Sequence, residues 1–130
     1  MTDISTALAI FALLGLVHVG AQSLVQKTAV GNRWTVGPRD TPAPPSVMTG
    51  RLDRAMRNYL ETAPVFLALM LAAHVGGGDA PLITGGTLAY LAGRIAYLPA
   101  YASGLPWLRT GCWLVATTGL AALLTGVLLP

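Results

Sequence analysis

Apolar residues fall into four long runs, and the polar residues between them are unevenly shared. The first run is Ile4 to Val25, long enough to cross a bilayer as a helix. A polar stretch from Gln26 to Arg54 follows, broken by Gly31, Gly37, Pro38, Pro42, Pro44, Pro45 and Gly50. The second run is Tyr59 to Val75, and its helix is expected to start earlier, near Leu52, with a charged first half. Gly76-Gly77-Gly78-Asp79-Ala80-Pro81 reads as a tight turn. A third run, Leu82 to Leu98, ends at Pro99, and Ser103-Gly104-Leu105-Pro106 is a further turn before the run from Trp107 to Leu129. The pattern predicts one all-α domain, an integral membrane four-helix bundle. Its helices cover about 4–26, 52–75, 82–98 and 107–129, with a long loop at about 27–51.

Composition agrees with this pattern. Hydrophobic residues make up 54% of the 130 residues and charged ones 10%, against about 25% charged in a soluble domain. Such a chain cannot cover its apolar surface with its own polar side chains, so lipid must cover it. A cleaved leader is the alternative for the first run. Val19-Gly20-Ala21 would pass as a cleavage site, but Met1-Thr2-Asp3 supplies no positive n-region, so a retained helix is expected. The single cysteine, Cys112, sits in an apolar run and reads as a packing residue.

The placement of charge sets an expected orientation. Lys27, Arg33, Arg39, Arg51, Arg54 and Arg57 lie in or beside the long loop, and Arg94 and Arg109 flank the turn between helices three and four. The amino terminus and the turn between helices two and three carry only Asp3 and Asp79. Lys and Arg collect in cytoplasmic loops, so both chain ends are expected outside. The net charge of +3 thus describes topology, and no nucleic-acid partner is expected. Small residues Gly85, Ala89 and Gly93 form an i, i+4, i+8 stripe that would let another helix approach closely.

Several polar residues lie where a membrane helix should have none. Arg54, Arg57, Asn58 and Glu61 share one face of helix two at i, i+3, i+4 and i+7. Arg94, Tyr97 and Tyr101 repeat that spacing on helix three, and Arg109 and Thr110 open helix four. His18, Gln22 and Gln26 form a milder stripe on helix one. Each charge at depth costs about 2.5–3.5 kcal/mol on insertion scales. Internal ion pairs such as Arg57–Glu61, with other arginines snorkelling to the headgroups, are the bland explanation. The arginines outnumber the acids near them, however, and that excess points to an anionic ligand gripped by planar guanidinium forks. His18 reads as a packing residue. His18 and His74 belong at opposite depths, and no Cys/His spacing suits a metal.

The stretch Arg54-Ala55-Met56-Arg57-Asn58-Tyr59-Leu60-Glu61-Thr62-Ala63-Pro64-Val65-Phe66 resembles the signature of MAPEG proteins, the membrane-associated proteins in eicosanoid and glutathione metabolism. Gly93-Arg94-Ile95-Ala96-Tyr97-Leu98-Pro99-Ala100-Tyr101 resembles their third-helix motif. Asn32 to Asp40 is similar to the cytoplasmic loop of bacterial members. The resemblance implies a homotrimer in a bacterial inner membrane, with glutathione as co-substrate bound between subunits near the cytoplasmic face. Carried over by position, Arg54, Arg57, Asn58 and Glu61 hold the tripeptide, and Arg94, Tyr97 and Tyr101 form the opposite wall. Arg109, the catalytic candidate, lies near the sulfur with Thr110 beside it, and Trp113 stands where some eukaryotic members have Tyr.

The expected function is a glutathione-dependent transferase or peroxidase acting on hydrophobic electrophiles or lipid hydroperoxides that arrive from the membrane. The alternative is a non-catalytic, lipid-binding scaffold of the same fold. A small transporter is disfavoured, because no inverted repeat or broken-helix pair is present.

Overall fold

The computed structural model describes residues 3–44 and 46–129. Met1, Thr2, Pro45 and Pro130 lie outside the described residues, and with them the leader argument at Met1-Thr2 and the loop break at Pro45. The described chain is four helices: α1 (Ile4–Val36), α2 (Val47–Gly76), α3 (Ala80–Ser103) and α4 (Pro106–Leu128). α1, α2 and α4 are long and apolar enough to cross a membrane, whereas α3 is less apolar. α3 packs along α4, from Ile83 beside Gly126 to Tyr101 beside Arg109.

Helices extend beyond the apolar runs that announce them. α1 continues to Val36 and α2 begins at Val47, so most of the expected loop is helical. An apolar run reports the thickness of the hydrocarbon, while a helix can continue into water wherever its residues tolerate it. α1 does break once, at Gly31, whose φ of 79° and ψ of 171° are non-helical. Only glycine takes such a conformation at little cost. Nor does Pro99 end α3, which runs on to Ser103. The proline only removes the N–H that would have reached the Ile95 carbonyl, a loss tolerated in membrane helices. Gly104, at φ 77°, closes the helix by donating its N–H to Tyr101 O at 3.2 Å.

The turn before α3 is capped as its sequence requires. Asp79 accepts the Leu82 N–H at 2.8 Å, and Pro81 occupies an early position where a missing N–H costs nothing. The Asp79 N–H donates to Gly126 O at 2.9 Å, fastening this turn to the far end of α4.

Two kinds of packing hold the bundle. α1, α2 and α3 meet through aromatic rings. Phe11 stacks on Tyr59 at 5.0 Å, Phe66 stacks on Tyr90 at 4.4 Å, and the buried Tyr59 hydroxyl donates to Phe11 O at 2.6 Å. α3 and α4 meet backbone to backbone. A Cβ added to Gly86 would lie 2.7 Å from Gly119 O, and one added to Gly93 would lie 2.7 Å from Ala116 N. The close-packed stripe is therefore Gly86 and Gly93 rather than Gly85, Ala89 and Gly93. Gly85 faces open space, because it lies 100° around the helix from the contact that Gly86 makes.

Candidate functional site

The polar residues of all four helices gather at the end of the bundle where α1 joins α2 and α3 joins α4. On α1, the His18 ring is buried and stacks on Tyr59 at 4.7 Å. Its Nδ1 lies 2.9 Å from Leu14 O and must donate, since a carbonyl can only accept. One turn on, Gln22 Nε2 donates to Asp53 Oδ1 at 3.2 Å, tying α1 to α2.

Arg94 is the deepest charge, 1% exposed. Its Nη1 donates to Asn58 Oδ1 and its Nη2 to Thr62 Oγ1, both at 2.7 Å. The rings of Tyr90 and Tyr97 lie 5.3 and 5.5 Å from the guanidinium carbon. Among the described residues it has no carboxylate partner, and its Nε is buried without a hydrogen bond. Two neutral oxygens and two π faces thus stabilise a charge that the membrane interior strongly disfavours. Asn58 passes the interaction outward. With its oxygen committed to Arg94, its Nδ2 faces Glu61 Oε2 at 3.4 Å.

Tyr101 collects the remaining cations. Arg54 Nε donates to its hydroxyl at 3.2 Å, and the Arg109 guanidinium lies over its ring at 5.1 Å. Tyr97 meets the same ring edge-on at 5.5 Å. A cavity of about 380 Å³ opens here, lined by Asn58, Tyr97, Tyr101, Arg109, Thr110 and Trp113. A smaller cavity of about 130 Å³ shares Tyr101 and Arg109 and adds Arg51 and Arg54. The Thr110 hydroxyl donates to Pro106 O at 2.9 Å, so toward the cavity it can only accept.

Seven of the residues singled out in the sequence (Arg54, Asn58, Arg94, Tyr97, Tyr101, Arg109 and Thr110) therefore come together around Tyr101 or behind it. Arg57 and Glu61 do not. Both are exposed on the outer face of α2. The expected Arg57–Glu61 pair does not form. Arg57 Nη2 instead binds Asp53 Oδ2 at 3.0 Å, the only ion pair among the described residues. Asp53 lies one turn toward the headgroups, where a long arginine side chain turns naturally.

Two residues in this cluster escaped the sequence reading. Arg51 was counted only among the topological charges, yet its Nη1 holds Ala102 O at 3.0 Å on the wall of the smaller cavity. Its i, i+3 spacing to Arg54 was the available signal. Thr62 had no assigned role, and its i, i+4 spacing from Asn58 places both acceptors of Arg94 on one stripe. No group of three or more His, Cys, Asp or Glu that could hold a metal occurs among the described residues.

A four-helix membrane bundle carrying a buried arginine and a surplus of guanidinium groups at one end defines a class of small integral membrane proteins. Within that class, the chain matches the MAPEG family over residues 4–129 and belongs to it. No curated relative matches the chain.

Proposed function

We propose that this MAPEG protein is a glutathione-dependent transferase or peroxidase acting on hydrophobic electrophiles or lipid hydroperoxides. One observation carries the reading. Arg51, Arg54 and Arg109 line two adjoining cavities, and among the described residues none of them has a carboxylate within ion-pair distance. Glutathione offers the complementary groups: two carboxylates for guanidinium forks, an ammonium, and a thiol. Glu61, engaged only by the weak Asn58 contact, is the available partner for the ammonium. Arg54, Arg57, Asn58 and Glu61 would then hold the tripeptide, with Tyr97 and Tyr101 on the opposite wall and the buried Arg94 orienting Asn58 from behind.

Arg109 is the catalytic residue in this proposal. Its guanidinium stabilises the thiolate over the thiol, which raises the nucleophilic fraction at neutral pH. In transfer, the sulfur lone pair forms a bond to the electrophilic carbon, and the leaving group departs with its bonding pair. In peroxide reduction, the thiolate takes the distal oxygen as the O–O bond breaks. The departing alkoxide gains a proton to become an alcohol. A second glutathione then yields the disulfide and water.

A homotrimer completes the site. Arg57 and Glu61 stand exposed on a membrane helix, and charges so placed require a partner subunit, a ligand or the headgroups to cover them. The charge distribution further supports both termini outside and the site near the cytoplasmic face, and the resemblance of Asn32 to Asp40 to bacterial members supports a bacterial inner membrane. Calorimetry of the purified protein with glutathione tests the reading. Saturable binding that is lost on Arg54→Ala is expected, and no heat of binding at millimolar glutathione would refute it, leaving the lipid-binding scaffold.

A further inference from the structure

The end of α1 has no part in the site described above, yet it is built with more detail than a connector needs. α1 has 33 residues, about 50 Å at 1.5 Å per residue. A hydrocarbon core of about 30 Å is crossed in roughly 20 residues, and the headgroup layers end within roughly 30. Counting from Ile4, α1 leaves the hydrocarbon near Leu24 and the headgroups near Trp34, so Gly31 falls at headgroup level. The helix breaks at this depth, at Gly31, and then resumes for one turn.

Beyond the break, side chains strap the chain into a fixed turn. Trp34 Nε1 donates to Thr41 O at 2.7 Å. Arg39, the only described non-glycine residue at positive φ (61°), sends Nε and Nη2 to Thr35 O at 3.3 and 3.0 Å. Its guanidinium also lies 5.4 Å from the Trp34 ring centroid. A cavity of about 430 Å³ opens on this turn, lined in part by Val30, Arg33, Trp34, Arg39 and Asp40. Lys27, Arg33 and Arg39 are exposed with Asp40 as the acid nearest in sequence, and Val36 between the two arginines is 84% exposed. Cations, an indole and a bare aliphatic side chain at one depth are the composition of a segment lying in the membrane interface.

We propose that the turn from Gly31 to Thr41 is a docking element for anionic phospholipid headgroups. Val36 would dip to the acyl boundary, while Arg33 and Arg39, with Lys27 behind the break, would engage the phosphodiester. The charge complementarity is specific to this patch, and the site cations Arg51, Arg54 and Arg109 play no part in it.

The test uses the full chain with Trp107→Phe and Trp113→Phe, so that Trp34 alone reports. The protein is reconstituted in phosphatidylcholine vesicles containing about one quarter phosphatidylglycerol, with one lipid brominated at a time. Trp34 quenching per mole of brominated phosphatidylglycerol should exceed that by brominated phosphatidylcholine several-fold at low salt. Arg33→Gln with Arg39→Gln should bring quenching by the two lipids close to equal, and the paired lysine substitutions should retain most of the preference. Equal quenching by the two lipids would overturn the proposal, as would a preference that survives both glutamine substitutions. Loss of the preference in millimolar inorganic phosphate at constant ionic strength would do the same, identifying a free-anion site instead.

Discussion

Arg109→Ala separates the proposed chemistry from mere binding. Arg109 makes no ion pair among the described residues, and its guanidinium rests on the Tyr101 ring at 5.1 Å. Its charge is thus available to a ligand rather than spent inside the protein. A charge-assisted contact to a thiolate is worth about 1.5–3 kcal/mol, which corresponds to roughly one to two pKa units on the bound thiol. Removing the cation favours the thiol, so the bound pKa should rise by that amount. Turnover at pH 7 should fall roughly ten- to more than a hundredfold, and part of it should return as the pH is raised. Glutathione affinity should change much less, because the helix-two contacts to the carboxylates remain. Thr110 cannot substitute, since its proton is committed to Pro106 O. The assay is thiolate absorbance near 240 nm (an approximate wavelength), titrated with pH in the presence of glutathione and set beside the pH profile of kcat. A bound-thiol pKa that is the same in wild type and Arg109→Ala would refute the assignment. Arg109 would then be a headgroup anchor.

Other outcomes follow from the same geometry. Glu61→Ala should raise the KM for glutathione with little loss of thermal stability, because Arg57 keeps its pairing with Asp53; steady-state kinetics and a detergent melting curve check both halves. Gly93→Leu should prevent the α3–α4 contact, since even a Cβ would lie 2.7 Å from Ala116 N, and the variant should lose helical content or fail to accumulate in the membrane. Arg94→Leu should destabilise the bundle by about 1–3 kcal/mol, because Asn58 Oδ1 loses its donor while Thr62 Oγ1 keeps the Tyr90 hydroxyl at 3.0 Å; unfolding in detergent measures it. Reporter fusions should read external at Gly77 and cytoplasmic at Pro44, and native mass spectrometry in mild detergent should show trimers.

The fold and most of the site were legible because the membrane imposes strong rules on sequence. Long apolar runs located the helices, and charges inside them stood out against that background. Helix ends were harder to read. Nothing in hydropathy distinguishes a helix that leaves the bilayer from a loop, so the polar turns of α1 beyond Gln26 read as irregular. Small residues at 85, 86, 89 and 93 fit more than one face, and only α4 selects Gly86 and Gly93 for its own contact, which leaves Gly85 open. The partner of Arg57 was missed because Asp53 and Glu61 are equally spaced from it. Side-chain direction relative to the headgroups decides between two such neighbours, and spacing alone cannot. Arg94 was recognised as a charge at depth, but its dependence on Asn58, Thr62 and two tyrosine rings is a three-dimensional fact without a local signature.

The modest apolarity of α3 bears on how the chain is made. Gly85, Gly86, Gly93, three tyrosines and Arg94 leave α3 without a stretch as apolar as those of the other three helices. α4 is long and apolar enough to span and follows after a connection of only Gly104 and Leu105. During synthesis α3 is therefore expected to await α4 at the translocon, and the two should partition as a hairpin. Its glycine-lined backbones would already be in contact, and the Arg94 side chain would still be free to find its acceptors on α2. A nascent chain truncated within that connection should leave α3 extractable by alkaline carbonate, while one extended through Leu128 should hold it in the bilayer.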